Sequence, residues 1–346
     1  MKVLKFIGKT FSFVGVFLII LLVIVYSMGL IFCYGPSIQA RNLFVTTLLE
    51  TGQMKFVVKL FMSDEKVQEI VNSNSMVAFD EEIDNSLINT DDIKDINGIE
   101  LVEITGSTYM AKMIIVNDPS RVKLATIYDG SWKKLGVTLD KLVTSHDAFA
   151  GINGGLYASS GNTGGRPMGL VVKEGKIEYN NPYGIRGLHL IGFNEDNLLK
   201  IIDLSGKNDK QVEKIIKDEK IRDAVAFQEE SSDANNHFVK LIINGEEREF
   251  NGLGSGANPR SAIGQRADGS VLLLVTDGRG TNGHLGATAS DLIEIMQEYG
   301  AVNAANIDGG SSSCMYYDGK YEMTSVTLYY SNSSWRLPTG FIVEKR

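Results

Sequence analysis

The feature that most limits what this chain can fold into is a long apolar segment near the N-terminus. No charged residue occurs between Lys9 and Arg41, and the run from Phe11 to Phe32 is almost wholly apolar. At about 1.5 Å per residue, a helix of this length crosses a hydrocarbon layer about 30 Å thick. We therefore predict one transmembrane helix, followed by a separately folded domain.

The charges that flank this segment predict its orientation. Three lysines precede it and only Arg41 follows closely, so the positive-inside rule places the N-terminus in the cytoplasm and the rest of the chain outside. A cleaved signal peptide is the alternative, but its apolar region is usually about 7–15 residues long. A cut after Ala40 would also put the bulky Ile38 at the third position before the cleavage site. We predict an uncleaved single-pass anchor in the cell membrane.

The charge of the remaining chain bears on its partners. Four of the 34 basic residues and none of the 42 acidic ones lie within residues 1–41, so the rest carries 30 basic and 42 acidic residues, a net charge of −12. Nucleic acid is thus excluded as an expected partner, because binding to phosphate backbones requires a basic surface. The two cysteines, Cys33 and Cys314, lie too far apart in the chain to suggest a disulfide framework.

We divide the chain into three parts. Residues 1–33 are expected to form the cytoplasmic tip and the anchor, residues 34–97 a helical stalk and an acidic linker, and residues 98–346 the main domain. Within the stalk, Ser63-Asp64-Glu65 has the pattern of an N-cap followed by two acids in the first turn of a helix. The linker holds seven acids between Asp80 and Asp95, without the spacing of a calcium loop.

From Ile99 onward, short apolar runs separated by turn signals predict strands. Hairpin turns are expected at four dipeptides that lie between β-rich runs: Glu174-Gly175, Asn244-Gly245, Asp268-Gly269 and Asp318-Gly319. Three helical patterns interrupt the strands, at Thr138–Ser145, Asp209–Lys220 and Ala289–Tyr299. The fold class is therefore α+β, with mixed, largely antiparallel sheets and a few packed helices, and not a doubly wound sheet.

One order of elements occurs twice in this domain. A helix that begins at Thr138 leads through an apolar run to Asn153-Gly154-Gly155, and a helix that begins at Thr288 leads in the same way to Asp308-Gly309-Gly310. The repeat could be chance, but such glycine pairs can bring two strand ends to one pocket.

Four short motifs carry the polar residues that suggest a binding site. They are Asn153-Gly154-Gly155-Leu156-Tyr157, Asn258-Pro259-Arg260-Ser261-Ala262-Ile263-Gly264, Thr276-Asp277-Gly278-Arg279-Gly280 and Asn303-Ala304-Ala305-Asn306-Ile307-Asp308-Gly309-Gly310-Ser311-Ser312-Ser313. Glycines permit positive φ and close approach of a ligand, while freed N–H groups and hydroxyls can point at an anion or a sugar ring.

In this order, the four motifs resemble the phosphodiester glycosidase family, and the likeness extends from about Gly98 to the C-terminus. The anchor and stalk lie outside it. The chain departs from the family pattern at Leu156, where an aromatic residue is usual, at Ser261, where threonine is usual, and at Ser311, where a third glycine is frequent. The resemblance implies a hydrolase that cleaves sugar-1-phosphodiester bonds in cell-surface glycans or exopolysaccharides.

Two arginines could bind the phosphate of such a substrate. A phosphodiester carries one negative charge, and an arginine guanidinium can bind two of its oxygens in a defined orientation, which a lysine does poorly. Arg260 follows a proline and Arg279 lies between two glycines, which fix or expose the backbone there. The alternative for either is an ion pair with a carboxylate of the protein.

Two carboxylates are the candidate catalytic groups. If the bond between the anomeric carbon and oxygen breaks, the leaving group is a phosphate monoester, whose second pKa of about 6 lets it depart without much help from an acid. A carboxylate is then needed as nucleophile or as base towards water. Asp308 is the first choice, because it ends a predicted strand among small residues. Asp277 is the second, with turn capping or orientation of Arg279 as the alternative.

The remaining candidates are expected to line the pocket. Asn153 and Asn306 would bind sugar hydroxyls, with turn formation as the alternative, and the small residues would contact substrate through backbone and hydroxyl groups. These small residues are Gly154, Gly155, Gly309, Gly310, Ser311 and Ser312.

No cofactor is firmly predicted. The four histidines show no pair at metal-binding helical spacing, yet Asp277 and Asp308 leave a divalent cation possible, since oxygen ligands can come from distant loops. Two other functions stay open: a non-catalytic glycan-binding or assembly factor for polysaccharide export, and a metal-dependent phosphodiesterase that cuts the P–O bond.

Overall fold

The structure, a computed structural model, describes residues 2–52, 54–91, 93, 95–132, 135–159, 161–326 and 332–345, and only the backbone of residues 2–8. The α-helices of the described residues are α1 (Lys2–Tyr34), α2 (Ile38–Leu49), α3 (Lys55–Lys59), α4 (Asp64–Asn72), α5 (Leu139–Ser145), α6 (Asp209–Asp218) and α7 (Ala289–Glu298).

The strands of the described residues, in chain order, begin in the first half of the domain with β1 (Ile99–Thr105), β2 (Met110–Val116), β3 (Val122–Thr126), β4 (Ala148–Asn153), β5 (Tyr157–Ala158), β6 (Arg166–Pro167), β7 (Gly169–Lys173), β8 (Lys176–Asn181), β9 (Leu188–Asn194) and β10 (Leu199–Asp203). They continue with β11 (Ile221–Gln228), β12 (Glu230–Ser231), β13 (Asn236–His237), β14 (Lys240–Ile243), β15 (Glu246–Glu247), β16 (Ser261–Arg266), β17 (Val271–Thr276), β18 (Ala301–Ile307), β19 (Met315–Tyr317), β20 (Lys320–Met323) and β21 (Thr339–Glu344).

Most strands belong to three antiparallel sheets. The largest has the order β1-β2-β17-β16-β18-β14-β15, and the two five-stranded sheets have the orders β10-β9-β11-β7-β8 and β20-β19-β4-β21-β3. The predicted α+β class with antiparallel sheets is therefore confirmed. The sequence alone could not assign strands to sheets: β2 and β3 are neighbours in the chain, yet they lie in different sheets.

Each sheet turns one face to a shared core and the other to a helix. On β17 the alternation is visible, because Val271, Leu273 and Val275 lie in the shared core while Leu272 and Leu274 pack with α7. In the same way α6 covers the sheet of β9 and β11, and α5 covers the sheet of β4 and β21. This packing fixes the strands whose ends carry the candidate site residues.

The predicted turns and helices appear in the structure. All four expected hairpin dipeptides connect paired strands, and three of them have both residues at positive φ, as a tight hairpin turn requires. The helices α5, α6 and α7 occupy the three predicted segments. Ser63 caps α4, and its hydroxyl accepts a hydrogen bond from the backbone N–H of Lys66 at 3.4 Å.

The N-terminal helix is followed by three short helices that we call the collar (α2, α3 and α4, residues 38–72). Within α1, the segment Lys9–Tyr34 is long and apolar enough to cross a membrane, and most of its side chains are exposed. The collar has a small core of its own, which includes Val45, Leu49, Val58 and Val67. The predicted stalk is helical as expected, and it packs against the main domain through Glu50.

Candidate active site

Three strand ends of the large sheet meet at one edge. Strand β16 lies antiparallel between β17 and β18, and Ser261 at its start is paired with Val275 and with Ile307. The beginning of β16 therefore adjoins the ends of both neighbours. Arg260 is brought between Asp277, which follows β17, and Asp308, which follows β18.

A fourth strand end joins this edge from another sheet. Asn153, the last residue of β4, is fully buried, and its side-chain N–H donates to the backbone oxygen of Asp308 at 2.6 Å. Its side-chain oxygen accepts from the hydroxyl of Ser261 at 2.7 Å. The two ends of the repeated helix–strand–glycine order are thus in contact, and Asn153 holds the turn that carries Asp308.

Asp308 lies half-buried at the start of the glycine turn. One carboxylate oxygen accepts from the backbone N–H of Gly309 at 3.1 Å. Burial raises the pKa of Asp308 to about 7, although Ser312, the Gly309 N–H and the positive charge of Arg279 all act to lower it. At neutral pH a substantial fraction of the group is therefore ionised, and the carboxylate is the form in which a base or nucleophile acts.

Arg279 presents its guanidinium to the same turn. It donates to the hydroxyl of Ser311 at 2.9 Å and to the side-chain oxygen of Asn258 at 3.4 Å. Within the described residues, no carboxylate, including that of Asp308, lies within salt-bridge distance of this guanidinium. The Ser311 and Asn258 side chains that it contacts are neutral. Burial and the nearby Arg260 lower the pKa of Arg279 to about 10, so the charge is kept at neutral pH. A half-buried cation without a carboxylate partner is suited to bind an anion.

Arg260, by contrast, has a carboxylate partner in the protein. It is 5% exposed and forms a buried ion pair with Glu50 of the collar. It also donates to the hydroxyl of Ser255 at 3.1 Å and to the backbone oxygen of Gly256 at 2.7 Å. Burial raises the pKa of Glu50, whereas Arg260 acts to lower it. A phosphate could reach Arg260 only after Glu50 had moved.

Asp277 also has protein partners at both carboxylate oxygens. One accepts from the backbone N–H of Met110 at 2.8 Å, and the other lies 2.7 Å from the ring nitrogen Nδ1 of His284. The side chain is 4% exposed. In this arrangement Asp277 positions His284 and the loop that carries Arg279, so a direct catalytic role for Asp277 stays a prediction.

The other predicted pocket residues divide into two groups. Asn153 and Asn306 are buried, and the side-chain N–H of Asn306 donates to the backbone oxygen of Phe238 at 2.9 Å. Neither asparagine side chain reaches solvent in this conformation, so sugar binding by them also stays a prediction. Gly154 and Gly155 serve close packing, because a Cβ atom at these positions would lie 2.3 Å from Thr339 and 2.6 Å from the backbone of Ala226.

Of the predicted pocket residues, those in the turn after Asp308 lie next to the two charged side chains, Asp308 and Arg279. Gly310 has a φ of +62°, and a Cβ atom there would lie 2.7 Å from the guanidinium of Arg279. Ser311 binds Arg279, and the Ser312 hydroxyl donates to the hydroxyl of Tyr157 at 3.1 Å. A turn of small residues therefore contacts both the Asp308 carboxylate and the Arg279 guanidinium.

Sequence reasoning did not identify Glu50 as part of the site. The residue lies in the segment predicted as a stalk, 210 positions from Arg260, and no motif surrounds it. The sequence feature that could have identified Glu50 is that it is the single charged residue between Arg41 and Lys55. In the part of the chain that the structure describes, no group of three or more His, Cys, Asp or Glu side chains could hold a metal ion.

Comparison with known proteins gives one family. Residues 146–344, more than half of the chain, match the model of the phosphodiester glycosidase family. A segment of 64 residues, 18% of this chain, is 42% identical to the SPbeta prophage-derived uncharacterized protein YomE of Bacillus subtilis (strain 168). That segment spans 10% of the length of YomE.

Two solved structures are similar to this chain over most of its length. One is the catalytic domain of zebrafish N-acetylglucosamine-1-phosphodiester alpha-N-acetylglucosaminidase, auto-inhibited by pro-peptide, with a TM-score of 0.51 and 20% identity over 72% of this chain and 83% of that chain. The other is a protein of Burkholderia pseudomallei described as exported, with a TM-score of 0.46 and 14% identity over 68% of this chain and 74% of that chain.

Proposed function

The chain belongs to the phosphodiester glycosidase family, and we propose that it is a hydrolase that cleaves the bond between the anomeric carbon and the phosphate oxygen of sugar-1-phosphodiesters. The observation that supports this most is the placement, at one glycine turn, of Asp308, whose pKa is raised to about 7, and Arg279, a half-buried cation that has no ion-pair partner in the described residues. One group suits the anomeric centre and the other suits the phosphate.

Arg279 is the proposed phosphate ligand. Ser311 and Asn258 hold its guanidinium in one orientation, and both are neutral, so the positive charge is available to the substrate. Arg260, the first candidate from the sequence, is paired with Glu50. We propose that Arg260 adds to the positive potential of the site and holds the collar in place.

Asp308 is the proposed nucleophile or base. In either role its carboxylate acts on the anomeric side, and the phosphate monoester leaves as a dianion without protonation by the enzyme. Water supplies the hydroxyl of the released sugar. The hydrogen bond from Asn153 to the backbone of Asp308 fixes the turn, so we assign Asn153 a positioning role.

We propose that α1 anchors this activity in a membrane. The uncharged segment after Lys9 and the three lysines at positions 2, 5 and 9 favour a span with the N-terminus in the cytoplasm and the domain outside. The substrate would then be a glycan of the cell surface or an exopolysaccharide, as the sequence resemblance implied.

The test uses the full chain, purified in detergent, and a water-soluble sugar-1-phosphate alkyl ester. We expect free sugar to be released, and we expect Asp308→Asn and Arg279→Gln each to lower kcat/KM by about a hundredfold or more. Tight binding of the ester without release of sugar would reject the hydrolase and favour a glycan-binding or assembly factor. Unchanged turnover in either variant would reject the role of that residue.

A further inference from the structure

Helix α3 of the collar has an apolar face that no described part of the chain covers. Phe56 and Leu60, one turn apart on this face, are 60% and 67% exposed. The opposite face carries Val58, which is buried in the collar core. Large apolar side chains that are exposed together on one face are typical of a surface that contacts a membrane or another molecule.

The position of α3 along α1 indicates what that partner is. The ring of Phe61, the residue after Leu60, lies 5.4 Å from the ring of Tyr26 and packs directly against Gly29. Its backbone oxygen accepts a hydrogen bond from the hydroxyl of Tyr34. Tyr26 and Tyr34 are about 12 Å apart along a helix, so the end of α3 lies beside the last two turns of the proposed membrane span.

These contacts set the depth of the exposed face. The apolar run of α1 extends to Phe32, so Tyr26 and Gly29 lie inside the outer half of the bilayer if α1 spans it. The neighbours of Phe61 on α3 then lie at the boundary between head groups and acyl chains. Amphipathic helices bind there with their apolar face in the lipid.

The polar side of α3 is directed away from that boundary. Lys59 forms ion pairs at 2.9 Å with Asp64 of the collar and at 2.8 Å with Asp233 of the main domain. Two further large apolar side chains at the ends of the neighbouring segments, Ile38 and Met54, are 63% and 41% exposed. On α3, therefore, the charged end of Lys59 is held by protein carboxylates while Phe56 and Leu60 are exposed.

We infer that the face formed by Phe56 and Leu60 lies in the outer leaflet of a lipid bilayer, and that the substrate is a lipid whose head group is a sugar-1-phosphodiester. The second half of this inference rests on the proposed function. It identifies the substrate as one that stays in the membrane while its phosphate is bound.

The chain length between this face and the site supports that substrate class. Glu50 precedes Phe56 by six residues, so their Cα atoms are at most about 22 Å apart. The Glu50 carboxylate contacts Arg260, whose neighbour Ser261 is paired with Ile307, the residue before Asp308. A short stretch of chain and a direct ion pair therefore connect the exposed face to the site.

The reaction on such a lipid is a simple hydrolysis. The bond between the anomeric carbon and the phosphate oxygen breaks, and its electron pair stays on that oxygen. Water forms the new bond to the anomeric carbon, and the proton of the water passes to Asp308 and then to solvent. The products are a free sugar and a lipid phosphate monoester.

The first experiment locates the face. The two native cysteines are buried, so Phe56→Cys provides one accessible thiol for an environment-sensitive fluorophore. The labelled full chain is placed in vesicles of phosphatidylcholine and phosphatidylglycerol in equal parts, with or without lipids brominated in the acyl chain. We expect brominated lipid to quench the label at position 56. It should not quench the label in Ile177→Cys, a matched exposed apolar position on an edge strand of the main domain.

The second experiment compares substrates in the same vesicles. One is a sugar-1-phosphate ester of a long-chain prenol embedded in the bilayer, and the other is the short alkyl ester of the same sugar in solution. Confinement to one surface raises the effective concentration, so we expect kcat/KM to be on the order of a hundredfold higher for the embedded lipid. The double variant Phe56→Gln, Leu60→Gln should lose most of this preference and keep its turnover of the soluble ester, whereas Ile177→Gln should change neither.

Each outcome decides the inference. Absence of quenching at position 56 overturns the membrane contact. Quenching with equal turnover of the two esters, or with a preference that the double variant keeps, overturns the lipid substrate and leaves the proposed hydrolase intact. If neither ester is hydrolysed, the proposed function fails, and the lipid substrate fails with it.

Discussion

The carboxyl group of Asp308 should set the pH dependence of the reaction. Its pKa is raised to about 7 by burial, so the fraction present as carboxylate increases through neutral pH. A nucleophile or base acts in this form, and a phosphodiester does not titrate in the same range. We expect kcat/KM for a soluble sugar phosphodiester to rise with pH and to level off above about pH 7. A profile that falls through this region would indicate a general acid and contradict the assigned role.

The same pKa predicts a stability change. A carboxyl whose pKa is higher in the folded state than its ordinary value of 3.8 opposes folding increasingly as the pH rises from 3.8 to about 7. Below that window both states carry the proton, and above it the penalty is complete. Asp308→Asn removes the penalty, so its melting temperature relative to the native chain should be higher at about pH 8 than at about pH 5. An equal difference at both values would contradict the raised pKa.

Substitution of Arg260 should mainly lower stability, whereas substitution of Arg279 should mainly lower activity. Arg260→Met leaves the buried Glu50 carboxylate without its partner, and breaking such a pair costs about 3–5 kcal/mol in the free energy of unfolding. Arg279→Lys keeps the charge but loses the fork, so we expect a large loss of kcat/KM with little change in stability. Thermal unfolding and steady-state kinetics of both variants check this. A stable Arg260→Met protein with low activity would indicate that Arg260 binds the phosphate and contradict its assignment to Arg279.

The motifs predicted which residue types would meet, but not how each charge is paired. Asp308 and Arg279 stand out in the sequence because glycines surround them, and glycine patterns are local. The partner of Arg260 comes from a segment 210 residues away, and nothing in the neighbourhood of either residue specifies that contact. Burial, which sets the pKa of Asp308, is likewise a property of the assembled sheets.

At the level of the element, the turn after β18 permits a test with a matched control. Gly310 and Gly319 both have positive φ, so alanine strains the backbone by about 1–2 kcal/mol at either position. Only at Gly310 would the added Cβ lie 2.7 Å from the Arg279 guanidinium, while nothing lies within 4 Å at Gly319. We expect both variants to be modestly destabilised, and only Gly310→Ala to lose about a hundredfold or more in kcat/KM. Equal activities would show that the turn does not position Arg279.

Individual elements were largely predictable, and their assembly was not. The hairpin dipeptides and the three helices of the main domain follow from local signals: positive φ at glycine or asparagine, N-caps and apolar periodicity. The placement of β2 and β3 in different sheets, and the contact of β4 with β18 through Asn153, depend on long-range packing. The repeated helix–strand–glycine order was the one sequence feature that pointed to this contact.

For the whole molecule, the packing of the collar is what the sequence left open. The sequence predicted a helical stalk there, but local patterns show helices without showing what they pack against. In the structure, Glu50 and the helices around it join the end of α1 to the strand edge that carries the site. The domain boundaries drawn at residues 33 and 97 therefore stay a prediction, and the collar contributes the carboxylate that pairs with Arg260.

The most direct test of the central claim is hydrolysis of the soluble ester by the full chain in water labelled with heavy oxygen. If the bond between the anomeric carbon and oxygen is cleaved, mass spectrometry will find the label on the released sugar and none on the phosphate, and Asp308→Asn will release neither product. Label on the phosphate instead would show cleavage of the P–O bond and contradict the account.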